Sequence, residues 1–158
     1  MTNQYLSILI ESLRKKSKVL DQIKDFNDKQ CQMFKEDKVS LDEFDQYVEE
    51  KGKLIEMLMQ LDEGFEQLYE RIAQEVVANK DKYKAQIKQL QELIREVSDK
   101  SVSIRAQEAR NKQVIEQFFK REKSRVGAKR KSTAAAINYY KSMSNTGVVA
   151  PQFMDKKK

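Results

Sequence analysis

The sequence predicts an all-α protein, an elongated antiparallel helical hairpin or three-helix bundle with coiled-coil character and a flexible C-terminal tail. Three observations carry this. The 158 residues include one proline and four glycines, are 35% charged, and contain no strand-like alternation of valine, isoleucine and threonine. Apolar residues recur every three or four positions through three long stretches. Short polar connections separate those stretches, which favours antiparallel neighbours.

Residues 1–126 read as the helical bundle, with helices at about 4–34, 41–78 and 81–126. In the first helix Leu6, Leu9, Leu13, Val19, Leu20, Ile23, Phe26, Met33 and Phe34 share a helical stripe, interrupted by Lys16 and Gln30. Thr2 or Asn3 is placed to cap it. Lys35 to Val39 is a connection too short for anything but a hairpin.

The stretch from Ser40 to Val76 has the strongest local signals, and the other helices read as partners for it. Ser40 and Glu43 have the spacing of a capping box, and Val39 and Phe44 that of a hydrophobic staple. Asp42 and Glu43 place negative charge where the helix dipole favours it. One register runs Leu41, Phe44, Val48, Lys51, Ile55, Leu58, Asp62, Phe65, Tyr69, Ile72, Val76, and only Lys51 and Asp62 are polar. A flanking row of Tyr47, Leu54, Leu61 and Leu68 widens the face enough to touch two neighbours.

Asn79-Lys80-Asp81 predicts the second turn, with an uninterrupted helix as the alternative, because no proline or glycine forces a stop. The third stripe is Tyr83, Ile87, Leu90, Ile94, Val97, Ser101, Ile104, Glu108, Asn111, Ile115, Phe118. It weakens beyond Ser98, where Ala106 and Ala109 leave a shallow groove for another helix of this chain or for a partner's helix. Val114, Ile115, Phe118 and Phe119 form an apolar cluster that would be partly exposed if it outruns the hairpin. Residues 127–158 read as a basic, partly disordered tail, with Gly127 as a helix stop and a possible short helix at 133–143.

Charge is segregated. Residues 1–119 carry a net −3, whereas Lys120 to Lys131 alone carries +6. A basic run of this kind meets nucleic acid, acidic lipid or acidic protein, or is simply solvated. The single Cys31 permits no internal disulfide and fits a reducing compartment. Its place beside Met33 and Phe34 predicts a packing role. No segment reads as a signal peptide or a membrane span, so the expected location is cytoplasmic, with no stable membrane insertion.

Catalysis is not expected. Without histidine there is no histidine base or ligand, and a lone cysteine makes neither a thiol dyad nor a zinc site. No glycine-rich phosphate loop is present, and no metal or other cofactor is implied. Carboxylate pairs such as Glu49–Glu50 lie among lysines at helical spacing and read as a solvated face.

Three segments together resemble the flagellar export chaperones of the FlgN type. These are the opening "YLSILIESLRKKSKVLDQI", the linker and capped helix "KEDKVSLDEFDQYVEEKGKLIEML", and "EARNKQVIEQFFK" followed by a tail containing "INYYKSM" and "PQFMDKKK". The resemblance implies a cytoplasmic bacterial chaperone of type III flagellar export. It would hold the C-terminal amphipathic segment of hook-associated proteins and deliver them to the export gate. By position it implies substrate contact through Ile104, Asn111, Ile115, Phe118 and Phe119, and export-gate contact through Tyr139 and Tyr140. Here Tyr140 is followed by Lys141, where the family has glycine.

Other readings are a structural coiled-coil protein that self-assembles, a chaperone for another flagellar substrate, and nucleic-acid binding through the basic run. The last is disfavoured because no aromatic stacking residues interleave that run. The expected state is a monomer or weak homodimer.

Overall fold

The computed structural model describes residues 1–36 and 39–122. The predicted end of the third helix at 126, the tail and the possible helix at 133–143 lie outside them. Three α-helices, α1 (Thr2–Lys35), α2 (Leu41–Ala78) and α3 (Lys84–Glu122), make a helical bundle. At about 1.5 Å per residue each of the longer two extends nearly 60 Å. No strand occurs among the described residues, and no helix there is long and apolar enough to cross a membrane.

The helix ends follow from local chemistry. Ser40 sits in extended backbone and its hydroxyl accepts from the Glu43 amide at 3.3 Å, satisfying one of the orphan donors of the first turn. Val39 and Phe44 join the same apolar cluster, as the staple requires. α1 starts on Met1 with no side-chain cap, and Thr2 is its first helical residue, so neither Thr2 nor Asn3 caps it.

The turn after α2 is built around Glu75 and Asn79. The Asn79 side chain donates to the Glu75 carbonyl at 3.0 Å and carboxylate at 3.1 Å, and the Asn79 carbonyl accepts from the amides of Lys82 and Tyr83. The Tyr83 hydroxyl donates to Glu75 at 2.8 Å. These bonds give the backbone an alternative to continuing the helix, so α2 and α3 are separate, and α3 begins at Lys84 rather than 81.

Cross-helix contacts fix the directions. Lys16 meets Asp62 and Phe34 meets Phe44, so α1 and α2 are antiparallel. Ser17 bonds Glu96 and Asn111 bonds the Asn27 carbonyl, so α1 and α3 are parallel. Close backbone approach joins α1 to α2 and α1 to α3. The organising helix is therefore α1, not α2 as the sequence suggested. The reason lies in its buried pairs Leu9–Ile10, Lys16–Ser17 and Val19–Leu20, adjacent residues that point to different neighbours. By contrast α2 and α3 bury single residues at spacings of three and four, with one gap of seven in α2 at the half-buried Asp62. The flank of Tyr47, Leu54, Leu61 and Leu68 is only half-buried.

The core has two parts. One, around Leu6, Leu13, Phe65, Tyr69, Ile87 and Leu90, fills the end that holds the α2–α3 turn. The other, around Leu20, Ile23, Phe44, Leu58, Ile104 and Ile115, fills the opposite end. Lys16 and Asp62 pair between them. Burial raises the Asp62 carboxyl above its ordinary range, and the Lys16 charge opposes this.

Phe44 is fully buried, so Phe44→Ala is expected to cost about 3–5 kcal/mol. Ser40→Ala, which removes only the cap, should cost about 1 kcal/mol. Urea titration followed by circular dichroism checks both; equal losses would mean that the cap, not packing, holds this end.

Candidate functional site

The predicted substrate-contact residues all lie on the distal half of α3. The structure brings them together, but largely inside the bundle. Ile104 and Ile115 are 1% and 2% exposed, Asn111 and Phe119 are buried, and Phe118 is half-buried. The expectation of a partly exposed apolar cluster is corrected here. Of its four members only Val114 remains exposed, at 40%. α3 nearly equals α2 in length and turns back on it sharply, so the cluster does not outrun the hairpin; it reaches the first turn of α2. The predicted shallow groove is corrected as well: Ala106 and Ala109 are both exposed, on a different side of α3 from the buried stripe of Ser101, Ile104, Glu108 and Asn111. Tyr139 and Tyr140 lie outside the described residues.

Four rings close this end of the bundle. Phe34 packs against Phe44 and Phe118 with centroids 5.9 and 5.3 Å apart, and Phe119 packs against Phe44 and Phe118 at 5.6 and 5.5 Å. Their steep tilts place ring edges against faces, a geometry worth about 0.5–1.5 kcal/mol per pair beyond area burial.

Beneath the rings polar side chains interrupt the apolar core. The Lys51 ammonium donates to Gln30 Oε1 at 2.7 Å and pairs with Glu108 at 3.0 Å, so one charged layer takes a side chain from each helix. Lys51 is completely buried. Loss of hydration pulls its pKa down from 10.5 to about 8, and attraction to Glu108 only partly restores it. One turn away Asn111 donates to the Asn27 carbonyl at 3.0 Å, and the Asn27 side chain donates to Gln107 at 3.4 Å, itself bonded to Asp28 at 2.9 Å. The Asn27 side-chain oxygen is buried and has no hydrogen-bond partner among the described residues, a cost of about 1–3 kcal/mol.

Lys51, Gln30 and Glu108 were visible as polar interruptions of three separate stripes, but their meeting was not. Opposite charges at stripe positions of two helices were the available signal. Cys31, expected to pack, is exposed. It sits one position off the buried stripe formed by Gln30 and Met33. At the other end of the bundle an open depression of about 480 Å³ lies between Ser7, Ile8, Glu11, Arg14 and Gln89, without a group of chemical distinction. Among the described residues no three acidic or cysteine side chains converge in a way that could hold a metal ion.

Compared with family models, curated proteins and solved structures, the chain finds no match.

The charged layer makes two expectations. Lys51→Met alone leaves Glu108 buried beside a methionine and should cost about 3–5 kcal/mol, whereas Lys51→Met with Glu108→Leu and Gln30→Leu should be neutral or about 1–4 kcal/mol more stable. The second concerns pH. Folded Lys51 releases its proton at about 8 and unfolded Lys51 at 10.5. The unfolded chain therefore binds more protons between these values, and stability from this group rises with pH across that window. Tyr69, raised by burial, acts in the opposite sense above its ordinary value of 10.0. Denaturation midpoints of parent and triple variant from pH 8 to 10 check this; a parent slope that survives in the triple variant contradicts it.

Proposed function

We propose that this protein is a cytoplasmic flagellar export chaperone of the FlgN type, which binds the C-terminal amphipathic helix of a hook-associated protein and presents it at the export gate. The resemblance of the three segments quoted above supports this reading. One structural observation carries it further. The proximal stripe, Tyr83 just ahead of α3 and Ile87, Leu90, Ile94 and Val97 on it, is wholly apolar, whereas the distal stripe mixes apolar Ile104, Ile115 and Phe119 with Ser101, Glu108 and Asn111. Fully burying a large apolar side chain contributes about 1.5–3 kcal/mol. Three such contributions are absent from the distal half, so apolar burial holds it less tightly against α1 and α2 than it holds the proximal half.

On this reading the incoming helix takes the place of the distal half of α3. It covers Leu20, Ile23, Phe44, Val48 and Ile55, which α3 otherwise helps to bury. Ile104, Asn111, Ile115, Phe118 and Phe119 act as the residues exchanged, not as a standing groove. Tyr139 and Tyr140 retain their proposed role at the gate. No covalent step is involved. The three apolar stripes are already covered within one chain, so self-assembly is not needed to bury them.

The test is co-purification of the full-length protein with C-terminal fragments of hook-associated proteins, with light scattering for stoichiometry. A one-to-one complex is expected. The variant Lys51→Met/Glu108→Leu/Gln30→Leu, which should hold α3 more firmly, is expected to bind about tenfold more weakly if it gains about 1.4 kcal/mol. Absence of any complex, or binding that strengthens in this variant, contradicts the reading.

A further inference from the structure

Helix α2 carries eleven acidic residues against three basic ones, a net −8. Residues 123–158 carry nine basic residues against one acidic, a net +8. No other part of the chain departs from neutrality so far. The acidic charge on α2 is also ordered. Glu49, Glu56, Met59, Glu63, Glu66 and Glu70 follow one another at spacings of three, four and seven, which lines them along one side of the helix. This side lies opposite the flank of Tyr47, Leu54, Leu61 and Leu68 that packs against the apolar core. All six residues are exposed. Among the described residues, no cation of another helix forms a salt bridge with any of these glutamates.

The stripe is not uniformly polar. Met59 is 54% exposed within it. Gly52 continues the same line, and a Cβ added there would meet nothing within 4 Å. An acidic helix face with bare backbone and an adaptable methionine near its centre is suited to a basic segment that also carries apolar side chains.

Chain geometry identifies the segment. Phe119 rests on Phe44, so α3 ends beside the first turn of α2, where the acidic side begins. Lys120 and Arg121 already occupy that last turn. The 36 residues that follow would span about 54 Å even if helical, and more if extended, whereas Glu49 to Glu70 covers about 32 Å. They begin with Lys123, Arg125, Lys129, Arg130 and Lys131, and continue to Ile137, Tyr139, Tyr140 and Met143. A tethered segment of this length is present at an effective concentration near the millimolar range, which favours it over a free basic peptide.

We propose that the segment after Glu122 binds in cis along the acidic side of α2, its basic run over the glutamates and its apolar residues over Met59.

The test uses the full-length protein with Cys31→Ser and spin labels on Gln60→Cys and Ala135→Cys, with distances read by double electron–electron resonance. A short-distance population is expected at about 0.1 M salt. It should be lost at about 1 M, where the screening length falls from about 10 Å to about 3 Å. Glu56→Gln/Glu63→Gln/Glu66→Gln should lose it at the lower salt while circular dichroism remains unchanged. Dilution with unlabelled protein should not alter it. A distribution that is the same at both salts overturns the proposal, as does a short population that disappears on dilution, which would place the segment on a second copy. The salt series on the unaltered α2 decides the matter even if the triple variant folds poorly.

Discussion

Burial of α1 on two sides at once is the constraint on which the bundle depends. A helix that touches one neighbour needs a single stripe; α1 needs two, and supplies them through adjacent buried pairs such as Leu9–Ile10 and Val19–Leu20. Its backbone approaches those of both α2 and α3. The α2–α3 contact is made instead by long side chains, Phe44 on Phe119 and Lys51 on Glu108. The arrangement resembles a coiled-coil seam filled from three directions, with one helix as the common wall.

This asymmetry explains the division of the core. Near the α2–α3 turn, aliphatic and aromatic residues from all three helices close a dry end. Toward the other end the same stripes carry Asn27, Gln30, Lys51, Ser101, Glu108 and Asn111. Each buried polar group there needs a partner in a fixed place, and a mismatch of one heptad would strand a charge. Such layers stabilise little, yet they distinguish the native alignment from its slipped alternatives. The account of function proposed above uses both properties: alignment fixed by the layer, and a distal α3 that costs little to release.

Much of the fold was legible because it rests on local rules. Ser40, the stripe spacing and Asn79 marked the helices to within a few residues. Three features were not legible, and each is a long-range one. That α1 is central depends on which stripes face each other, and the half-buried row from Tyr47 to Leu68 suggested α2 instead. The burial of Ile115 and Phe119 depends on the length match of α2 and α3, which a small shift of the turn would have altered. The meeting of Lys51 with Glu108 and Gln30 depends on the register of three helices together. The candidate residues were thus legible as neighbours on the distal half of α3, whereas their burial was not.

The central claim is that the bundle has a firm end and a releasable one, divided along α3. Native-state hydrogen exchange resolved by residue tests it directly, because local opening reports the free energy holding each segment. The account predicts that amides from Ser101 to Phe119 exchange through a partial opening that leaves Ile87 to Val97 protected. Equal protection along the whole of α3, lost only on global unfolding, would contradict it.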